Sequence, residues 1–229
     1  MRSFYRTLDG ALLRDIALVC LAVGVIGVSY GAIAVTSGFP WWFPVLMGAL
    51  VLAASSEFLF VGILAAGGSP IAALLAGLLV NARHLPFGLA VTDVLGRGWR
   101  GFLGTHLMND ETVVFALAQD EQQRKRAAYW LCGLGILVSW PAGAASGALL
   151  GSVVRDTDAL GLDAMFPAVI LALILPAMKE RSMPRTALAG AAVALVATPF
   201  LPAGLPVLLA LIALPLFTVR TEKKEEAVR

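Results

Sequence analysis

The stretch IALVCLAVGVIGVSYGAIAV, residues 16–35, is twenty residues without a single charge, and its reading decides the fold. At a rise of about 1.5 Å per residue, a helix of this length measures about 30 Å, the thickness of the hydrocarbon layer of a bilayer. Arg2, Arg6 and Arg14 in front of it, with Ala32 and Ala34 at its end, give it a passing likeness to a secretory signal. The run is too long for the apolar region of a signal, and many apolar segments follow, so it is read as an uncleaved first span over about 15–36. Residues 1–14, which mix aromatic and aliphatic residues with the three arginines, read as a short interfacial helix.

Composition extends this reading to the whole chain. Of 229 residues, 59% are hydrophobic and only 14% charged, against about 25% charged in soluble domains. Mean hydropathy is +0.85. The chain is therefore expected to be all-α, a polytopic transmembrane helical bundle of about seven or eight membrane segments. The net charge of +2 offers no argument for a nucleic-acid partner. Cys20 and Cys132 each lie in an apolar run without a CxxC pattern or a neighbouring histidine, which reads as two inert thiols. No metal and no cofactor is expected.

Further along, TSGFPWWFP is an uncharged turn that sets Trp41, Trp42 and Phe43 at the membrane interface. A second apolar stretch covers about 43–66, the turn signal GGSP occupies 67–70, and a third stretch covers about 71–92. DVLGRGWRGFLG is too rich in glycine and charge to span. The apolar part of THLMNDETVVFALAQ is only about 14 residues, or about 21 Å as a helix, which predicts a half-helix, a re-entrant segment or a shielded span. Further spans are expected near 127–153, 162–178, 186–201 and 204–219, followed by a charged tail at 220–229. Residues 1–219 read as one integral membrane domain.

Lysine and arginine cluster before the first span, at 124–126, at 179–185 and in the tail, with only Arg155 between 154 and 161. By the positive-inside rule, both termini and the middle loop face the cytoplasm, and Arg97 and Arg100 are the exception. A weak internal echo links YGAIAVTSGFPWWFPVLMGALVLA with SGALLGSVVRDTDALGLDAMFPAVILALIL through a Gly-Ala start and the Phe43-Pro44 and Phe166-Pro167 pairs. One reading is a duplication with halves near 11–118 and 127–219; the other is chance likeness between two apolar hairpins.

Polar residues inside apolar segments mark the candidate site, because a charge at mid-membrane costs about 2.5–3.5 kcal/mol on insertion scales. They are Ser55, Ser56 and Glu57 in LAASSEFLF, Asn81, Arg83 and His84 in LLVNARHLPFG, and Asn109, Asp110 and Glu111 in the short segment. Each has a plainer reading: Arg83 snorkelling to the interface, His84 as a structural histidine, Asp110 and Glu111 as first-turn acids of a helix. Their coincidence with glycine and proline breaks favours substrate binding or coupling. Arg83 needs a carboxylate, which Glu57, Asp110 or Glu111 could supply. Guanidinium, imidazole and carboxylate beside broken helices suit a zwitterion or a proton relay.

LLVNARHLPFGLAV resembles the Asn-x-Arg-His-x-x-(Tyr/Phe)-Gly signature of the AzlC family. LAASSEFLF stands where that family usually reads Ala-(Gly/Ser)-x-Gln-Phe, and MNDETVVFAL is similar to its Thr-Asp-Glu-x-(Phe/Val)-Ala element. The resemblance implies the large subunit of a branched-chain amino-acid exporter of the bacterial cytoplasmic membrane, working with a small AzlD-type membrane partner. By position, Asn81, Arg83, His84, Asp110 and Glu111 match the family's motifs. The departures are Glu57 for the usual glutamine, Pro86 for the common leucine, Asn109 for threonine and Ala17 for proline. Pro86 is expected to break the helix just beyond the charged cluster. The competing readings are a non-transporting assembly or sensor subunit, and an intramembrane enzyme using His84 with Asp110 or Glu111. The second lacks HExxH, GxSxG and paired metal-ligand spacing.

Overall fold

The computed structural model describes residues 8–153, 183–201, 205–206 and 208–210. The expected span at 162–178, most of that at 204–219, the tail at 220–229, residues 1–7 and the second Phe-Pro pair lie outside them. Among the described residues every element is a helix and there is no strand, in the order α1 (Gly10–Thr36), α2 (Trp42–Leu50), α3 (Ala54–Ala65), α4 (Pro70–Asn81), α5 (His84–Ala90), α6 (Thr92–Leu95), α7 (Trp99–His106), α8 (Asp110–Leu117), α9 (Gln122–Val153) and α10 (Met183–Ala197). Among the described residues, three segments are long and apolar enough to cross a bilayer: Gly10–Thr36, Pro70–Ala90 and Gln122–Val153. The chain is a polytopic helical membrane protein with broken helices.

Two expected boundaries move. The first helix starts at Gly10 rather than near residue 15, because the Asp9 carboxylate caps it by accepting from the Leu12 amide at 2.8 Å. That hydrogen bond, together with the Arg124 guanidinium 2.7 Å away, holds the Asp9 carboxyl below the usual carboxylate range. The stretch at 43–66 is not one helix. It breaks at 51–53, where Leu52 takes a left-handed conformation with φ of 52°, a cost of about 1–3 kcal/mol for a residue with a Cβ. The third stretch breaks too, but at 82–83 rather than beyond Pro86, which sits in the first turn of α5. A proline is tolerated there because the first-turn amides have no partner within the helix.

The chain divides into two compact units, Met1–Glu57 with Val80–Met165 and Phe58–Leu79 with Phe166–Arg229. In the second unit, Ile63, Ala73 and Ala76 form a small core joined by Leu59, Phe60, Leu64 and Leu208. The GGSP turn behaves as its sequence predicts. The Ser69 hydroxyl caps α4 by accepting from the Ala72 amide at 3.1 Å, and Pro70 takes the first helical position.

The first unit is organised by α1 and α9, which run parallel. Lipid is as apolar as leucine, so helices in a membrane associate by close packing, and small residues allow it. Gly27 and Gly31 of α1 lie on the backbone of α9 at Trp140 and Ala144, and Gly143 and Gly147 of α9 lie on α1 at Gly24 and Val28. The contacts are reciprocal. A methyl added at Gly31 would collide with the Ala144 carbonyl, and one at Gly147 with the Val28 carbonyl. Outward from this seam, Leu18, Leu21 and Val25 of α1 and Val138, Leu149 and Val153 of α9 are exposed, as a lipid-facing surface requires. Cys20 and Cys132 are free thiols at the same seam, with the Cys20 Sγ 4.0 Å from the Cys132 carbonyl.

The short helices α5 to α8 gather on the N-terminal half of α9. Val91, Val94, Met108, Val113, Ala116 and Tyr129 make one core. The Tyr129 hydroxyl donates to the Gly104 carbonyl at 2.7 Å, and the Trp130 indole to the Val94 carbonyl at 3.0 Å. Lys125 pairs with Asp93 at 2.8 Å and holds that carboxyl below its usual range.

Candidate functional site

The break at 51–53 builds the first half of the site. Because the helix restarts at Ala54, the Ala53 amide has no helical partner, and the Glu57 side chain reaches back to accept from it at 2.9 Å. The Ser56 hydroxyl donates to the Ala53 carbonyl at 2.9 Å. Glu57 is fully buried in the first turn of α3, where the helix dipole favours a negative charge. The Trp140 indole N–H lies 3.2 Å from each carboxylate oxygen, and Tyr30 presents its hydroxyl to the same group while its ring stacks on Trp140 at 5.3 Å. Gly48 of α2 makes room for the indole, since a Cβ there would come 3.0 Å from Trp140 Cδ1. Among the described residues, the ion pairs do not include Glu57. Its donors are neutral.

The second half forms at 82–83. Arg83 interrupts α4 and α5, and its Nη2 donates to the Ser55 hydroxyl at 2.8 Å and pairs with Asp110 Oδ2 at 2.9 Å. One guanidinium thus joins the first turn of α3, the α4–α5 junction and the start of α8. The structure selects Asp110 among the three carboxylates that could have met Arg83; Glu57 belongs to the Trp140 cluster instead. The side chains of Arg83 and Asp110 are 35% and 44% exposed, and a pair so accessible contributes about 0–1 kcal/mol. Arg83 Nε is buried without a partner among the described residues.

The remaining candidates divide. Asn109 is the N-cap of α8: its side chain accepts from the Thr112 amide at 2.9 Å, and the Thr112 hydroxyl accepts from the Asn109 amide at 2.9 Å, a full capping box. Asp110 and Glu111 are first-turn acids of that helix, and Glu111 forms no ion pair with another described residue. His84 Nδ1 lies 2.9 Å from the Asn81 carbonyl, and since a carbonyl only accepts, that nitrogen carries the proton. The Asn81 Oδ1 is buried and unpartnered among the described residues.

Sequence reading missed three members of this neighbourhood. Trp140 and Tyr30 looked like ordinary apolar residues of long spans, and their polar atoms gave no local signal. His106, at the end of α7, lies in a segment read only for its shortness. Its Nε2 is 2.9 Å from the Ala49 carbonyl at the end of α2.

Comparison with known proteins adds identity to this geometry. A family model described as "AzlC protein" matches residues 18–154. The chain is 29% identical over 161 residues to the "Branched-chain amino acid transport protein AzlC" of Bacillus subtilis, a match covering 68% of this chain and 63% of that protein. It is 28% identical over 177 residues to an "Uncharacterized membrane protein" of Haemophilus influenzae, covering 75% of this chain and 71% of the relative. A Helicobacter pylori protein with the same description is 23% identical over 199 residues, 86% of either chain. No solved structure matches.

Proposed function

The chain belongs to the AzlC family, and from that premise we propose that it is the large subunit of a secondary exporter of branched-chain amino acids. On this reading it works in the bacterial cytoplasmic membrane with both termini in the cytoplasm, is driven by the proton gradient and requires a small AzlD-type partner. The name of the Bacillus subtilis relative supports the substrate class. The family motifs supply the partner, and the lysine and arginine bias supplies the orientation.

The observation that carries the reading is the single guanidinium tying three broken helix ends together. A static scaffold gains little from it. The pair is partly accessible and weak, yet a charge placed in the membrane carries a cost of about 2.5–3.5 kcal/mol. A carrier that alternates between two shapes needs such a latch: strong enough to favour one arrangement, weak enough to open in each cycle. Glu57 supplies the coupling group. A fully buried carboxylate surrounded by neutral donors can take up and release a proton without losing a counter-cation.

The test is export of labelled valine, leucine and isoleucine from cells preloaded with dipeptides, with this chain expressed alone and with its partner. Export that needs both proteins, and that disappears in Arg83→Ala while expression persists, is the expected result. Absence of export with both proteins in the membrane would overturn the function. Full export by Arg83→Ala would overturn the latch.

A further inference from the structure

Beside the latch lies a cavity of about 290 Å³, close to the lower end of about 300–1,000 Å³ seen for small-molecule sites. Both histidines of the chain line it, His84 from α5 and His106 from α7, along with Asn81. Its apolar wall includes Val51, Phe102 and Met108. Three of the lining stretches also carry, within two residues, a member of the latch: Ala53 precedes Ser55, Asn81 and His84 flank Arg83, and Met108 precedes Asp110.

The polar groups of this cavity are half-used. His84 Nδ1 is bound to the Asn81 carbonyl and His106 Nε2 to the Ala49 carbonyl. Because carbonyls only accept, both of those nitrogens carry protons, and the second nitrogen of each ring, Nε2 of His84 and Nδ1 of His106, has no partner among the described residues. The Asn81 Oδ1 is buried and equally without one. An unpaired buried polar atom costs about 1–3 kcal/mol, so the Asn81 Oδ1 carries a cost that a ligand donor relieves, while the two accessible imidazole nitrogens are free to join it.

We propose that this cavity is the substrate site, taking one zwitterionic amino acid with a short branched side chain. The Asn81 Oδ1 and a neutral imidazole nitrogen accept from its ammonium, and the other imidazole, when protonated, donates to its carboxylate. Val51, Phe102 and Met108 face its aliphatic side chain. The assignment rests on the transport reading above and adds His106 and Phe102, which no motif marks.

Two substitutions separate binding from structure. Asn in place of His84 keeps a side-chain N–H near the Nδ1 position, and Gln in place of His106 keeps one near Nε2, so each preserves its backbone tie and deletes the ligand-facing nitrogen. Equilibrium binding of labelled L-leucine and L-valine to the purified full chain, with export measured in parallel in cells that also express the small partner, is the experiment. His84→Asn and His106→Gln should each weaken leucine binding by about tenfold or more while the melting midpoint holds. Phe102→Ala, at an exposed rim position, should weaken leucine more than valine. Parental affinity in all three variants, with the parent binding and exporting, would overturn the cavity and leave the transport reading standing. A parent that neither binds nor exports any branched-chain amino acid would overturn both.

Discussion

Substituting Gly31 by alanine tests the seam between α1 and α9 through its sign. Alanine in place of glycine inside a helix normally stabilises by about 0.5–1 kcal/mol. At Gly31 the added methyl meets the Ala144 carbonyl, a main-chain atom that moves only if the helices separate. Overpacking of this kind costs about 1–3 kcal/mol; taking the upper end, because the Ala144 carbonyl and the nearby Ala148 amide are both backbone, leaves a net loss of about 2 kcal/mol. For a chain of this size, about 2–4 °C per kcal/mol converts this to a fall of about 4–8 °C in melting midpoint. Gly24→Ala is the control. It lies on the same helix, and its methyl would sit in ordinary contact 3.5 Å from the Ser139 carbonyl, so its midpoint should hold or rise.

Reciprocity sharpens the test. Gly147→Ala should cost the same as Gly31→Ala, and the double variant less than the sum, since one separation of the helices relieves both collisions. The assay is built into the chain: its only two cysteines flank the seam, so reaction with a thiol-reactive dye during heating reports opening of α1 from α9. Midpoints that rise in Gly31→Ala and Gly147→Ala as in Gly24→Ala, or a strictly additive double variant, would refute the packing argument.

Trp140→Phe keeps an aromatic face for Tyr30 but removes the N–H shared by both Glu57 oxygens, and should cost about 1.5–3 kcal/mol near neutral pH. Most of that loss should vanish in a Glu57→Gln background, and an equal loss in both backgrounds would refute the pairing. Arg83→Ala should leave the melting midpoint almost unchanged, a difference of about 1 kcal/mol or less, while abolishing export; a large fall in the midpoint would mean that the latch is a structural strut. The Asp9 carboxyl, held low by the Leu12 amide and Arg124, adds its stability above the unfolded-state value of about 3.9 and loses it as pH falls through its lower folded value. Asp9→Asn should therefore narrow the gap between melting midpoints at neutral and at strongly acidic pH.

How much was legible follows the range of each interaction. The long apolar runs gave α1, α4–α5 and α9, and the GGSP turn and the shortness of α8 were readable because local chemistry sets them. The Arg83–Asp110 pair was foreseen as one of three choices; only the folded chain could choose. The break at 51–53 was invisible because nothing in VLAASSE punctuates the run: its turn is made by Leu52 in a conformation leucine seldom adopts and is held by Glu57 folding back on Ala53. Pro86 misled because a proline breaks a helix from its interior and not from its first turn. Trp140 lies 83 residues from Glu57, and His106 comes to His84 only through the packing of α7, so neither pairing left a local trace.

The glycine seam also bears on where this protein can bend. With main chain lying directly on main chain at Gly27, Gly31, Gly143 and Gly147, no side chains remain at those four crossings to repack, and any sliding there must drive Cα atoms and carbonyls over one another. The pair is therefore the stiff spar of its unit. Motion is cheapest where the hydrogen-bond ladder already stops, at 51–53 and 82–83; the first joint lies just before Ser55 and the second contains Arg83, so the guanidinium latch ties the two together. Bracing each joint with a short chemical cross-link should freeze turnover, whereas a cross-link along the spar should leave it running.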